Sequence, residues 1–349
     1  MAFPTQRLGQ LAYAPEPTHF EHADSLEPTV SEGDDPNEDS GYDDESVSQS
    51  DTMSILSEVT NYRIEHGRRY HAFCDGVYWG PNDEQAQSLQ DMTHSLYLAT
   101  FGGRLHLAPV LYPQEILDIG TGSGVWAIDA ADVYPGAKIT GVDLSPVQPS
   151  LVPLNCFFEI DDVALPWTFA PNRFDLIYVR DIFGSIPDWS DFLAQCWRCL
   201  RPGGYVEIVG HSVEPISDDC DIPCNHVYSV WGQTIAQAGR ITGKSFSVWQ
   251  TSARHLKQAG FVDICRLDYK WPVHGWNPGP QLRELGRLNQ NRMDLGAEDT
   301  ALRLLTSTLQ WSEDRARKLI AEMRSAIQES DFPAYLPVTV VHGRKPAHS

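Results

Sequence analysis

The sequence predicts a doubly wound α/β protein, in which a seven-stranded sheet is covered by helices and preceded by a disordered acidic tail. From Gln114 onward, apolar segments of about five residues alternate with helical segments, a pattern typical of such sheets. A loop with three glycines follows the first strand, where folds of this class bind nucleotides. The first 58 residues contain fourteen acidic residues, one basic residue and few bulky apolar side chains, so they cannot offset the entropy cost of ordering.

Apolar segments bounded by turns or helices predict the individual elements. The strands are expected at 115–119, 138–142, 156–160, 174–179, 205–209, 261–267 and 338–342. Helices are expected from Asp83 to Gly102-Gly103 and at 125–134, 189–200, 224–238 and 252–259, with a long helical insertion at 281–330. The chain thus divides into a tail (1–58), a helical lid segment (59–113) and a ligand-binding domain (114–349).

Composition excludes several classes of protein. The chain has 349 residues with 26 Lys and Arg against 47 Asp and Glu, a formal net charge of −21. Such a charge repels phosphate backbones and anionic lipid, so we expect no direct nucleic-acid binding and no membrane association. There is no run of about 18 apolar residues, and the start lacks the apolar core of a secretory signal. We expect a protein of the cytoplasm or nucleus that is not secreted.

The cysteines do not predict a metal site or a disulfide framework. Seven are present, an odd number, at irregular spacing. Cys196 and Cys199 fall in a predicted helix, where cysteine acts as a small buried apolar residue. Cys220 and Cys224 are too far apart in sequence for the usual zinc-binding pair, although His226 is near. We therefore expect no bound metal.

The segment ILDIGTGSGVWAIDAA (116–131) is the most informative part of the chain. A strand ends on Asp118 and is followed by the glycine loop, whose glycines are Gly120, Gly122 and Gly124. Glycines permit the tight turn and let backbone N–H groups approach a ligand. Asp143 ends the next strand, where a carboxylate can accept hydrogen bonds from a ribose diol. A dinucleotide site needs a glycine where Val125 stands, so the spacing favours S-adenosylmethionine (SAM) over NAD.

Further motifs give the chain a recognisable pattern. They are EHGRRYHAF (65–73), PNDEQAQ (81–87), GVDLSPVQP (141–149), FEIDDVALPW (158–167), FDLIYVRDIFGSIPDW (174–189) and LRPGGYVEI (200–208). With the glycine loop, they resemble the class I SAM-dependent methyltransferases and, within them, the LaeA-like fungal methyltransferases. The resemblance implies a Rossmann-like fold and SAM as cofactor. It extends from residue 61 to the C-terminal part of the chain and leaves the first 58 residues uncovered.

The resemblance also implies cofactor-binding roles for matching residues. Those expected around the amino-acid end of SAM are Asp118, Gly120, Gly122 and Gly124. Asp143 would hold the ribose hydroxyls and Leu144 would touch the adenine face. The adenine amino group would be read by Asp161 or Asp162, of which we favour Asp162.

Two further groups of residues complete the expected site. Arg180 and Asp181 would face the methyl donor, unless they form only an ion pair that supports a loop. An aromatic-rich segment would lie over the site as a lid or else pack in the core; its residues are Tyr70, His71, Tyr78 and Trp79.

Methyl transfer depends mainly on positioning, because a sulfonium methyl group is already activated. A hydroxyl or amine acceptor can also need a base near neutral pKa, and His71 and His211 are the candidates.

Three functions of the protein are compatible with these residues and with the family resemblance. The first is methylation of a small molecule, as in fungal secondary metabolism. The second is a LaeA-like regulator bound to a velvet-type nuclear protein, and the third is a SAM-binding scaffold without turnover. The acceptor and its reacting atom do not follow from the residues.

Overall fold

The computed structural model describes residues 61–329 and 332–347, and its centre is a seven-stranded sheet. The strands are β3 (Glu115–Ile119), β4 (Lys138–Asp143), β5 (Cys156–Ile160), β6 (Phe174–Arg180), β7 (Leu200–His211), β8 (Val262–Pro272) and β9 (Tyr335–Arg344). Their order is β5-β4-β3-β6-β7-β9-β8, with β9 antiparallel to both neighbours and the other pairs parallel. The predicted seven-stranded α/β fold is confirmed. The predicted tail (1–58) lies outside the described residues.

A small hairpin opens the described chain, where the sequence led us to expect a helical segment. It pairs β1 (Arg63–Glu65) with β2 (Arg68–Tyr70). His66 and Gly67 between them both have positive φ angles, of 51° and 81°. Two positive φ angles in a two-residue loop match the twist of paired strands, so this turn favours a hairpin over a helix.

Helix α1 (Glu84–Phe101) follows, and its ends match the sequence expectation. The Asp83 carboxylate caps the first turn by accepting from the Ala86 N–H at 3.1 Å. Gly102 ends the helix in the left-handed conformation. The remaining helices are α2 (Val125–Val133), α3 (Trp189–Cys199), α4 (Val227–Thr242), α5 (Val248–Gln258), α6 (Pro280–Arg303) and α7 (Glu313–Glu329).

The predicted helical insertion corresponds to α6 and α7, which are joined by a short π-helix (Leu304–Thr308) and lie between β8 and β9. Helix α6 packs against α1. A Cβ on Gly296 would lie 2.9 Å from a methyl group of Leu89, so glycine permits this close crossing. The insertion is therefore part of the same body as the sheet.

Two apolar cores cover the two faces of the sheet. In one, the Trp126 and Tyr178 rings stack 3.9 Å apart. The other contains Cys196 and Cys199, both buried. No group of three or more His, Cys, Asp or Glu side chains in the described residues is arranged to hold a metal ion. No helix in the described part of the chain is long and apolar enough to cross a bilayer.

Candidate active site

One large cavity, of about 220 Å³, opens where β3, β4, β6 and β7 end. Loops after the strands form one side of it: the glycine loop, the turn after β4 and the segments after β5 and β6. Residues 77–82, helix α1 and helix α6 form the rest. Parallel sheets of this type bind ligands at the carboxyl ends of their strands, so this cavity is the candidate active site.

The glycine loop adopts a conformation that only glycine accommodates well. Gly120, Gly122 and Gly124 have φ angles of 68°, 58° and 84°. A Cβ on Gly120 would lie 2.6 Å from a methyl group of Ile182, and a Cβ on Gly122 would lie 2.5 Å from Oε1 of Gln90. Gly120 and Gly122 line the cavity, so the loop forms a cradle of backbone there. Gly124 lies at the start of α2.

The Asp143 carboxylate is fixed beside this loop. Its Oδ2 accepts from the Gly122 N–H at 2.9 Å, and its Oδ1 accepts from the Ser145 N–H at 3.1 Å. Burial raises the pKa of Asp143, and the backbone hydrogen bonds oppose that rise. Both oxygens keep further lone pairs that can accept from a ligand hydroxyl. Asp143 lines the cavity, as does Leu144 after it.

Three more predicted acids lie nearby, at different depths. Asp161 and Asp162 line the cavity beyond β5, and Asp162 is buried, with its Oδ1 accepting from the Ala164 N–H at 2.9 Å. Asp118 is buried at the end of β3 and accepts from the Thr121 hydroxyl at 2.6 Å. Burial raises the pKa of Asp118 to about 6. Asp118 is not among the described residues that line the cavity, so it supports the loop from behind.

Arg180 and Asp181, at the end of β6, do not pair with each other. Arg180 donates from Nη1 to Nδ1 of His94 at 2.9 Å. The Asp181 carboxylate accepts from the Tyr97 hydroxyl at 2.8 Å and lies 3.0 Å from Nδ1 of His211. Burial acts to raise the pKa of Asp181, but its interactions with His211, Arg180 and Tyr97 hold that pKa below its usual range. Asp181 also has a φ of 52°, which is strained for a residue with a side chain.

His211 has both ring nitrogens occupied. Arg292, from α6, donates from Nη1 to Nε2 of His211 at 3.1 Å. Because guanidinium only donates, Nε2 must accept, and Nδ1 then carries the proton that it donates to Asp181. Burial lowers the pKa of His211; Asp181 opposes this and Arg292 reinforces it. His211 lines the cavity as a neutral ring without a free lone pair.

His71 is directed at the backbone. Its Nδ1 is 2.8 Å from the Phe73 carbonyl oxygen, and its Nε2 is 3.0 Å from the Tyr78 carbonyl oxygen and 3.2 Å from the Tyr78 backbone nitrogen. These contacts hold the turn that leads to Tyr78 and Trp79, both of which line the cavity. His71 and Tyr70 are absent from the described residues that line it. Tyr70 instead lies beneath the guanidinium of Arg303, 4.5 Å from the ring centre.

Segment 77–82 is attached to several elements and covers the cavity. The Trp79 indole N–H donates to the Phe183 carbonyl at 3.1 Å, and the Asn82 amide donates to the Ser145 hydroxyl at 3.1 Å. The Lys244 ammonium donates to the Val77 carbonyl at 2.5 Å. The segment is thereby joined to the loops after β4 and β6 and to the loop after α4.

Asp299, on α6, is a cavity-lining carboxylate with an incomplete set of partners. Its Oδ1 accepts from Nη1 of Arg68 at 2.5 Å and from the Gln85 amide at 3.1 Å. Its Oδ2 is buried and has no hydrogen-bond partner among the described residues. Burial raises the pKa of Asp299, against the opposing effect of Arg68.

Six residues that the fold brings to the cavity or its supports were not predicted: Gln90, His94, Tyr97, Phe183, Arg292 and Asp299. In α1, Leu89, Met92, Leu96 and Ala99 have the spacing of an apolar helix face, yet Ala99 is exposed and the polar Thr93 is buried. A signal was present in α1, because His94 and Tyr97 are three residues apart on one helix face. Arg292 gave no comparable signal, because its position depends on how the insertion folds back.

Comparison with known proteins agrees with the fold and the loop. A family model described as a methyltransferase domain matches residues 94–266. Methyltransferase pytC of Aspergillus terreus is 35% identical over 85% of this chain and 92% of its own length. The secondary metabolism regulator laeA of Aspergillus flavus is 32% identical over 88% of this chain and 84% of its own. The protein-methionine methyltransferase laeA of Emericella nidulans is 31% identical, with coverages of 86% and 81%.

The fold, the glycine loop and the matching domain define a methyltransferase that uses SAM as its cofactor. The chain belongs to the LaeA-like family of fungal methyltransferases, as the sequence motifs predicted.

Proposed function

We propose that the protein transfers the methyl group of SAM to a small molecule held in the cavity described above. The observation that carries this proposal is that a single cavity contains two kinds of lining. The strand ends contribute the glycine loop and Asp143, while the covering segment, His211 and α6 contribute other parts of the lining. Such a cavity can hold a cofactor and a small acceptor together, out of bulk water.

The residues at the strand ends are assigned to the binding of SAM. The cradle at Gly120 and Gly122 has room for backbone contacts to the amino-acid end of SAM, with Gly124 and Asp118 supporting it. Asp143 would accept from the ribose hydroxyls and Leu144 would cover the adenine. Asp162, with Asp161 beside it, would accept from the adenine amino group. Arg180 and Asp181 would face the donor, while Tyr78 and Trp79 take the covering role that we expected to include Tyr70.

Bound SAM supplies an activated methyl group, so the protein's contribution is chiefly position and exclusion of water. Residues 77–82 and α6 enclose the acceptor side. The hydrogen bonds of Asp181 with Tyr97 and His211 fix that carboxylate in the cavity lining. Neither His71 nor His211 offers a free lone pair, so we propose that they position other groups and do not act as catalytic bases.

The biological setting has two candidates. Likeness to methyltransferase pytC supports a biosynthetic enzyme of fungal secondary metabolism. Likeness to the laeA secondary metabolism regulators supports a regulator with a velvet-type partner in the nucleus. We favour the biosynthetic function in the cytoplasm or nucleus. Inactivation of the enzyme should then remove methylated products and leave transcripts of biosynthetic genes unchanged, whereas loss of those transcripts would favour the regulator.

Calorimetric titration with SAM and S-adenosylhomocysteine tests the cofactor site. We expect binding by the wild-type protein and at least about a tenfold weaker affinity in Asp143→Ala, since two ribose hydrogen bonds are lost. Asp132→Ala is the matched control, because Asp132 is an exposed aspartate on α2 and should leave affinity unchanged. Failure of the wild type to bind, or equal binding by Asp143→Ala, would contradict the proposed site.

A further inference from the structure

Arg292 is a buried cation without an anionic partner. Only 8% of the Arg292 surface is exposed to solvent. Nε donates to Oδ1 of Asn289 at 3.0 Å, Nη1 donates to His211, and the guanidinium lies 5.2 Å from the centre of the Trp271 ring. All of these partners are neutral. Within the described residues, no carboxylate lies in ion-pair distance of Arg292 and its Nη2 has no hydrogen-bond partner.

A charge in this position is costly. Guanidinium stays protonated in proteins, so Arg292 cannot become neutral to escape the cost of burial. Buried charges are normally paired, and an unpaired one destabilises the fold. The groups that hydrogen-bond to Arg292 are neutral and orient it, the nearest charge that acts on it being Asp181 beyond His211, and one N–H edge is left unused. Since Arg292 lines the cavity, that edge is available to a ligand.

The place of Arg292 separates it from the cofactor half. The groups assigned to the cofactor lie after β3, β4 and β5, with Arg180 and Asp181 at the end of β6. Arg292 comes from the insertion and contacts His211, which ends β7, two strands away from β3 in the sheet. Thr300 and Asp299, from the same helix, line the cavity as well.

The two arginines of the cavity are the groups that can bind an anion. The lining contains Arg180 and Arg292 together with five aspartates, and neither arginine has a carboxylate in ion-pair distance among the described residues. SAM carries one carboxylate, together with a positive sulfonium and a positive ammonium group. Arg180 ends β6, which lies directly beside β3 and the glycine loop, so Arg180 can pair with the single carboxylate of SAM. Arg292 then remains available to bind a different anion.

We propose that Arg292 recognises the methyl acceptor and that the acceptor carries an anionic oxygen, either a carboxylate or an ionised acidic hydroxyl group. The inference rests on the proposed function, because it takes the second half of the cavity to be the acceptor site. Arg292 is a specificity-determining residue in this account. The hydrogen bonds to Asn289 and His211 hold the guanidinium in place, so that Nη2 meets the anion without rearrangement.

Acetate is a suitable probe, because it contains the recognised group and little else. Acetate and its neutral analogue acetamide would be titrated at constant ionic strength into protein saturated with S-adenosylhomocysteine. The His211 ring resonances provide the readout, since the ring contacts Arg292 directly. We expect a saturable shift with acetate, no comparable shift with acetamide, and at least about tenfold weaker acetate binding in Arg292→Gln. Arg292→Lys should retain part of the response.

Controls separate the possible failures. Arg266→Gln removes an exposed arginine on β8 and should respond as the wild type does. Arg292→Gln should keep its affinity for S-adenosylhomocysteine within about twofold, which shows that the fold and cofactor site are intact. Equal responses to acetate and acetamide, or an unchanged response in Arg292→Gln, would overturn the inference. Displacement of S-adenosylhomocysteine by acetate would assign Arg292 to the cofactor carboxylate instead. Absence of S-adenosylhomocysteine binding would refute the proposed function itself.

Discussion

Oε1 of Gln90 accepts a hydrogen bond from the Ser123 N–H at 2.7 Å, and this contact joins α1 to the glycine loop. The same oxygen lies 2.5 Å from the position that a Cβ on Gly122 would occupy. The loop and the helix therefore approach each other at a point where only a glycine fits. The shape of the cradle depends on Gln90, which lies 30 residues before Gly120 in the sequence.

Gly122→Ala should therefore weaken the binding of S-adenosylhomocysteine by about tenfold or more. The substitution strains a left-handed residue by about 1–2 kcal/mol and pushes Gln90 away from Ser123. Gly136→Ala is the matched control, since Gly136 has open space around its Cβ position and no positive φ. Combining Gly122→Ala with Gln90→Ala should relieve the clash but not the strain. Unchanged affinity in Gly122→Ala, measured by calorimetry, would be inconsistent with the cradle.

The ring of His211 should remain neutral, with its proton on Nδ1, at pH values where an ordinary histidine is charged. Burial lowers its pKa, and the donor from Arg292 occupies Nε2. Nitrogen-15 NMR of the imidazole distinguishes the two tautomers and follows the titration. In Arg292→Gln the pKa of His211 should rise, because a neighbouring positive charge is removed while Asp181 remains. A ring that titrates near 6.5 in the wild type would argue against the hydrogen-bond pattern described here.

Glu207 makes the stability of the fold depend on pH. It is buried in β7 and accepts from the Leu107 N–H at 2.8 Å and the Ala108 N–H at 2.5 Å, and its other oxygen has no partner among the described residues. Burial raises the pKa of Glu207 from 4.5 to about 7, against the effect of these hydrogen bonds. The unfolded chain therefore ionises first as pH rises. The contribution of Glu207 to stability is complete below about pH 4.5 and is lost by about pH 7.

The free energy of unfolding of Glu207→Gln should lack this dependence. Relative to the wild type, the variant should gain on the order of 3 kcal/mol between pH 4.5 and pH 7, measured by urea unfolding at each pH. Comparison at each pH removes the contributions of the histidines, which both proteins share. Glu159→Gln, on the exposed side of β5, should follow the wild type. A constant difference between Glu207→Gln and the wild type across this range would disprove the assignment.

The sequence predicted the parts of the fold that depend on local pattern. The strands at β3, β4 and β6 are short apolar runs with a polar residue at or next to their last position, and the glycine loop follows one of them directly. The hairpin at His66-Gly67 was missed because β1 and β2 have only three residues each, too few to show a period.

Apart from Tyr78 and Trp79, which the family motifs implied, the candidate site was predictable where its residues end or follow strands. Asp143 ends β4 and Asp181 directly follows β6, so topology brings them to one edge. Arg292 and Asp299 lie on an insertion whose packing against α1 depends on a contact between Gly296 and Leu89. These two residues reach the cavity because distant parts of the chain pack together, which the spacing of residues in the sequence does not show.

The insertion between β8 and β9 supplies one wall of the cavity, whereas β3, β4 and β5 supply the opposite one. Those two walls occupy separate stretches of the chain. Substitutions along α6 can accordingly change which molecules the cavity accepts without altering the residues at the ends of β3, β4 and β5. The fold thus provides one part that can be redesigned for a new acceptor beside another that can be kept.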